Sequence, residues 1–277
     1  MGSDRVRAIL VVACVCAANV ASAQATAPVL LRLQPHMGDT LHSWLDQHTE
    51  ITSGNGSPGP SRGVSTSVSI RSRTIVRSVR PANTTVLTIV DSAIFTSTDA
   101  HSAAMIAEAG RALRGQQLVL QLGVDGTVET ASDARGIPLS RDAVDAMAAM
   151  PAVFPKRPVS VGDQWMRELP LPSGGPLGAR GSGHVRATFH LDSLERGATV
   201  AYVSMRGEIL PDSTSQGLSL SGSISGVLQI DRVRGWMTDS RFLVLLQSVV
   251  TPPPGSGLAP MRLMTRVTQR LRTMDKR

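Results

Sequence analysis

Histidines, arginines and a few acidic and hydroxyl residues are the groups in this chain that could do chemistry. His36, His42 and His48 stand six residues apart, as do His184 and His190. Six residues of one strand cover about 20 Å at roughly 3.3 Å each, whereas a metal holds its ligands near ~2 Å. A single strand cannot offer two of these rings to one ion. A site built from several strands stays open beside the plainer reading, polar-face histidines. For nucleophilic catalysis, the nearest text to Gly-x-Ser-x-Gly is Gly222-Ser223-Ile224-Ser225-Gly226, with Ile at its centre. No Ser-x-x-Lys precedes Lys156 or Lys276, and neither a phosphate-cradling glycine loop nor a dinucleotide fingerprint occurs. Asp39 and Asp163 could act as paired carboxylates or could cap turns through local backbone bonds. No catalytic residue, cofactor site or metal site is assigned, and a hydrolase with a dispersed Ser/His/Asp site is kept as an alternative.

Arginine gives the more suggestive pattern. The 277 residues carry 28 Lys+Arg against 21 Asp+Glu, a net charge of +7. All but Lys156 and Lys276 of the basic residues are arginine, which suits phosphate and carboxylate partners. Arg71, Arg73 and Arg77 form one alternating stripe, and Arg262, Arg266, Arg270 and Arg272 a second. They read either as solvated strand faces that discourage edge pairing or as contacts for an anionic envelope partner. Nucleic acid is not expected, because Trp 3, Tyr 1 and Phe 4 leave little for base stacking.

Residues 1–23 read as an address. Arg5 and Arg7 precede an apolar run from Ala8 to Val20, and Ala21-Ser22-Ala23 is a small-x-small cleavage signal after Ala23. Export to the periplasm or cell envelope is expected, with a lipid anchor at Cys14 as the lesser alternative. Cys14 and Cys16, the only cysteines, would leave with the leader. No later run reaches the ~18 apolar residues of a transmembrane helix.

The mature chain alternates with period two, the signature of strands. Leu41 and Leu45 share one face and His42, Trp44, Asp46 and His48 the other. Val64, Thr66, Val68 and Ile70 oppose the first arginine stripe. Residues 84–97, 118–122, 127–131, 185–192, 198–209, 218–230, 236–250 and 261–273 read as further strands. Gly222 and Gly226 suit bends in a curved sheet. Helices are expected at 99–114, behind Asp99 as N-cap, and at 140–150. In the first, Met105, Ile106, Ala109, Ala112 and Leu113 form an apolar stripe.

Gly38-Asp39 before the first strand system and Gly162-Asp163 before the second suggest two similar halves, 24–138 and 139–277, free to form one domain. The expected fold is mainly β (α+β), with curved antiparallel sheets in two similar halves, each with one packed helix.

The segment Phe154-Pro155-Lys156-Arg157-Pro158-Val159-Ser160-Val161-Gly162-Asp163-Gln164-Trp165 resembles an uncharacterised family of exported bacterial β-rich proteins with a mid-chain FP-x-x-PV-x-VGD-x-W segment. Gly222, Gly226 and Asp231 stand where that family carries a later glycine-glycine-aspartate strand pair. The resemblance implies an envelope location and a mostly β fold, and no known activity. Physically, Pro155 and Pro158 force extended backbone, Gly162-Asp163 turns the chain, and Trp165 anchors the next strand. The expected function is a non-enzymatic envelope protein that binds an apolar or amphiphilic ligand or a protein partner. The alternative is a structural or assembly module that contacts an anionic partner through the arginine stripes.

Overall fold

The computed structural model describes residues 27–54, 62–139, 153–170, 183–211, 218–251 and 260–275. The expected leader 1–23, with Ala23 and Cys14, and the expected helix 140–150 lie outside the described residues.

The strands are β1 (Thr40–Gly54), β2 (Arg62–Val79), β3 (Asn83–Ser97), β4 (Gln117–Gly123), β5 (Val128–Asp133), β6 (Gln164–Pro170), β7 (Gly183–Glu195), β8 (Val200–Pro211), β9 (Leu218–Asp231), β10 (Trp236–Val250) and β11 (Met261–Asp275). They form one antiparallel sheet in the order β5-β4-β3-β2-β1-β11-β10-β9-β8-β7-β6. This overturns the two-halves expectation. β1 pairs with β11 from Leu41↔Asp275 to Gly54↔Arg262, so the two halves share one ladder. The Gly-Asp echo is a repeated local turn. Asp39 Oδ2 accepts from His36 N–H and Asp163 Oδ2 from Ser160 N–H, each at 2.9 Å, with Gly38 at φ +89° and Gly162 at φ +94°. Each turn docks on the next hairpin alike. Gly38 N–H donates to Val76 O and Gly162 N–H to Leu191 O.

One face of the sheet is mainly apolar and turned inward, with Thr49, Thr74, Ser240, Thr265 and Thr273 buried among its hydrophobic residues. Leu41, Val76, Val86 and Leu122 from one arm share a cluster with Trp165, Phe189, Met205 and Phe242 from the other. Arg167 of β6 reaches Asp125 beside β4, so the two edges come together and the sheet rolls into an open barrel. Small inward residues permit the curvature. A Cβ on Gly207 would lie 2.8 Å from Arg186 O, and one on Gly222 or Gly226 would strike β10. Trp165 stacks on Phe189 with ring centroids 5.6 Å apart, and its indole N–H donates to Val153 O.

One helix is present among the described residues, α1 (Ala100–Leu113). Asp99 caps it, and hydrogen bonds from Ser102 and His101 hold this exposed carboxyl below its ordinary range. The expected apolar stripe packs only in part: Ile106 and Leu113 are half-buried, while Ala109 and Ala112 are exposed. Met105 is 69% exposed, and Gly110 is the buried residue of the helix. β4 pairs only with Asn83–Ile89, which leaves the rest of β3 without that neighbour. There Gly110 lies against Ala93 and Phe95.

The floor of the roll is sealed by residues 29–34. Val29, Leu31 and Leu33 are buried, while Leu30 between them is exposed. Val29 pairs with Val159, Leu33 N–H donates to Val124 O at 2.8 Å, and Gln34 N–H to Arg234 O at 3.1 Å. This strap spans the β4–β5 turn, the β9–β10 turn and the lead-in to β6. A Cβ on Gly235 would collide with the Arg32 carbonyl oxygen, so glycine is what allows the strap to approach. Across the seam, Arg167 of β6 pairs with Asp125 of the β4–β5 turn. Burial opposes the charged form of Asp125, but hydrogen bonds from Thr127 and Arg167 outweigh it and hold the carboxyl below its ordinary value.

Two outcomes follow. Leu31→Ala lowers stability by about 2–5 kcal/mol, and Gly235→Ala also destabilises, whereas exposed Leu30→Ala stays within about 0.5 kcal/mol; denaturant midpoints decide. A carboxyl whose folded pKa is lowered adds stability above its unfolded value, and that share is lost as pH falls through the folded one. Asp125→Asn therefore flattens the loss of melting temperature on acidification below about pH 4, with wild type run alongside.

Candidate functional site

The strand order β2-β1-β11 sets the two arginine stripes on either side of β1, on the outer face. Alternation dictates this face, because Leu41 and Thr49 of β1 are buried on the inner one. Trp44 is registered opposite Arg71 on β2 and Arg272 on β11. Both guanidiniums close over its ring, with Cζ 4.4 and 4.6 Å from the centroid. The indole N–H donates to Asp46 at 2.8 Å, and Asp46 also accepts from Ser69 at 3.0 Å and Arg272 at 3.3 Å.

The other stripe residues are partly neutralised. Arg73 pairs with Asp91 at 3.2 Å, and Arg270 with Asp239 at 3.0 Å. Arg241 reaches the same Asp239 at 3.7 Å, so two cations share one carboxylate. Arg266 is exposed and registered opposite Glu50. Arg77 and Arg262 are exposed toward opposite ends and do not join the cluster at Trp44. Gly38, Asp39, Gly162, Asp163 and Trp165 serve turns and the core, as described above. Asp39 and Asp163 each spend their carboxylate on a separate turn.

A groove of about 850 Å³ crosses the outer face over β3, β2, β1, β11, β10, β9 and β8. On six of these strands it takes three consecutive residues, such as Asp46-Gln47-His48 and Arg241-Phe242-Leu243. On β3 it takes Ile94 and Thr96 and passes over inward-facing Phe95, which fixes it to the outer side. Its walls are two rows of outward side chains.

Cross-strand register also gathers two groups that sequence reading missed. His48 Nδ1 lies 2.9 Å from Ser67 Oγ and its Nε2 3.4 Å from Glu50. His190 Nδ1 lies 2.5 Å from Asp192, to which Ser204 donates at 2.9 Å. The second is not wired for catalysis, since its serine donates to the carboxylate instead of the imidazole. The first is half-exposed between strands paired on both sides. Their backbone N–H groups are committed to ladders, so the local backbone offers no oxyanion donor. The His48–Glu50 and His190–Asp192 pairs follow from alternation along one strand, whereas only the strand pairing brings Ser67 and Ser204 to them.

The inner face changes along the molecule. Over β7 to β9 it is closed, with Phe189, Leu191, Met205, Leu228 and Ile230 at 2% exposure or less. Across β11, β1, β2 and β3 its apolar side chains Leu263, Ile51, Val64, Val68, Ile70 and Phe95 are only half-buried. Most of these lie toward the end of the sheet that carries α1.

The outer strand faces carry arginine, serine, threonine and acidic residues, with apolar residues such as Ile94 and Val227 scattered among them. That is not the continuous apolar girdle of a lipid-facing barrel. No described helix is long and apolar enough to cross a membrane.

No protein-family model matches the chain, and no curated protein matches it. Among solved structures, DynF from the dynemicin biosynthesis pathway of Micromonospora chersina is 8% identical, with a TM-score of 0.24 over 88% of this chain and 86% of that one. The outer membrane protein OprG from Pseudomonas aeruginosa is 8% identical, with a TM-score of 0.24 over 88% and 100% of the two chains. Outer membrane protein AlkL, solved in DMPC bilayers, is 10% identical, with a TM-score of 0.21 over 87% and 92%. At such TM-scores the likeness carries neither fold nor function to this chain.

The Trp44 sandwich has a measurable signature. Arg71→Ala and Arg272→Ala each cost about 0.5–1 kcal/mol. Each shows coupling to Trp44→Leu in a double-mutant cycle; strict additivity would mean that the guanidiniums and the indole do not interact.

Proposed function

We propose that this is an exported, non-enzymatic cell-envelope protein that binds an apolar or amphiphilic ligand on the inner face of its rolled sheet. The observation that carries the reading is the change in that face. It is closed over β7 to β9 and half-exposed over β11 to β3, where Val64, Val68, Ile70 and Phe95 remain within reach of solvent. Apolar side chains on a concave face gain most when a ligand covers them, at about 25 cal/mol per Å². Helix α1 stands beside this surface and contributes a glycine contact in place of a thick apolar seam. The outer face is suited to water, so the molecule can remain dispersed in an aqueous compartment with its apolar cargo inside. The leader of residues 1–23 supports export.

The test is native mass spectrometry with binding of a naphthylamine dye. Wild type is expected to carry a co-purified amphiphile or to enhance the dye. Val68→Asp, which sets a charge among these side chains, is expected to lower dye binding about tenfold or more while the circular dichroism spectrum is kept. Ligand-free protein that leaves the dye dark would overturn the reading.

A further inference from the structure

The outer groove has no part in that reading. It crosses seven adjacent strands, which at about 4.8 Å per strand makes a track of roughly 29 Å. A compact ligand would touch only a fraction of it, so its shape suits an extended chain lying across the strands.

Its chemistry narrows the occupant. Arg270, Arg241 and Arg206 lie on β11, β10 and β8, with the hydroxyl of Ser225 on β9 between the last two, Ser204 beside Arg206 and Ser67 farther along on β2. Arg241 and Arg270 are registered opposite each other and share Asp239, so their combined charge is only half cancelled. Arg206 makes no ion pair with a described residue. Asp46, the acidic residue of the groove, is already held by Arg272 and Trp44. The outer indole at Trp44 already holds two guanidiniums over its ring, which compete with base stacking there. A protein partner would look for large aromatic anchors; the walls carry Ser and Thr hydroxyls and three guanidiniums, with Ile94, Val227 and Leu243 as the apolar side chains among them. Arginines on both walls with hydroxyls beside them suit a polymer whose carboxylates are interspersed with hydroxyls.

We infer that the groove binds an acidic polysaccharide, laid across β3 to β8, with Arg206, Arg241 and Arg270 on its carboxylates. The contact is independent of any ligand on the inner face.

Polygalacturonate, with neutral dextran of matched length as control, is the probe for titration calorimetry on the intact protein. Polygalacturonate is expected to bind and dextran not to, with affinity falling about tenfold or more between about 50 and about 500 mM salt. The double variant Arg206→Ser/Arg241→Ser should weaken binding about tenfold or more. Arg111→Ser, on the exposed face of α1, should leave it unchanged. Equal binding of dextran, salt-independent binding, or no change in the groove variant overturns the inference. Binding of phosphatidylglycerol vesicles without polygalacturonate also overturns it and assigns the face to a membrane surface. Dye binding by the same samples reports on the inner face separately.

Discussion

The pairing of the first strand with the last is the constraint on which the rest of this structure depends. β1 and β11 are the central strands of the sheet, hydrogen-bonded along almost their whole lengths. That ladder makes one continuous surface from two stretches of chain more than two hundred residues apart. It fixes which side chains face inward, because a slip of one residue would reverse every face. It also places the arginines of β2 and β11 on either side of Trp44. Without it, the two stripes would belong to separate sheets and the outer groove would end at β1.

Closure at the floor is the second dependency. A rolled sheet with two free edges needs something to hold them together, and here it is not a ladder. The strap of Val29, Leu31 and Leu33 fills the end of the roll and ties three turns through backbone hydrogen bonds. Asp125 and Arg167 add a charged clasp across the seam. The inward glycines of β8 and β9 let the sheet bend tightly at one wall. Burial is accordingly deepest there, and the more open wall carries the half-exposed apolar residues. Inner and outer faces thus carry different chemistry, with apolar side chains dominant on one and charge on the other.

Much of this was legible in the sequence, and the failures have physical causes. Alternation places Val185, Ala187, Phe189 and Leu191 on one face, and all are buried. Asp99 marks the start of α1, and Pro252 to Gly255 separates the strands that became β10 and β11. Individual strands are visible because period two is local. Their partners are not, because pairing depends on residues far away, so the repeated Gly-Asp turn suggested two halves. The strap shows the same alternation, Val29-Leu30-Leu31-Arg32-Leu33, but it is short and precedes the first long strand. The apolar stripe of α1 held only in part, because the helix packs its closest approach through Gly110, keeps Ile106 and Leu113 half-buried and leaves Met105 in solvent. The Trp44 sandwich and the approach of Ser67 to His48 needed register, which composition and spacing do not contain.

The most direct test of the account is a cross-link between the first and last strands. Ser43 Oγ and Thr273 Oγ1 lie 3.3 Å apart across the β1–β11 ladder. With Cys14 and Cys16 gone with the leader or replaced by serine, the pair Ser43→Cys/Thr273→Cys should oxidise to an intramolecular disulfide, identified by peptide mapping. A mismatched pair, Ser43→Cys/Thr265→Cys, should not. Failure of the matched pair to link in folded protein, or equal linking of the mismatched pair, would contradict a single sheet joined through β1 and β11.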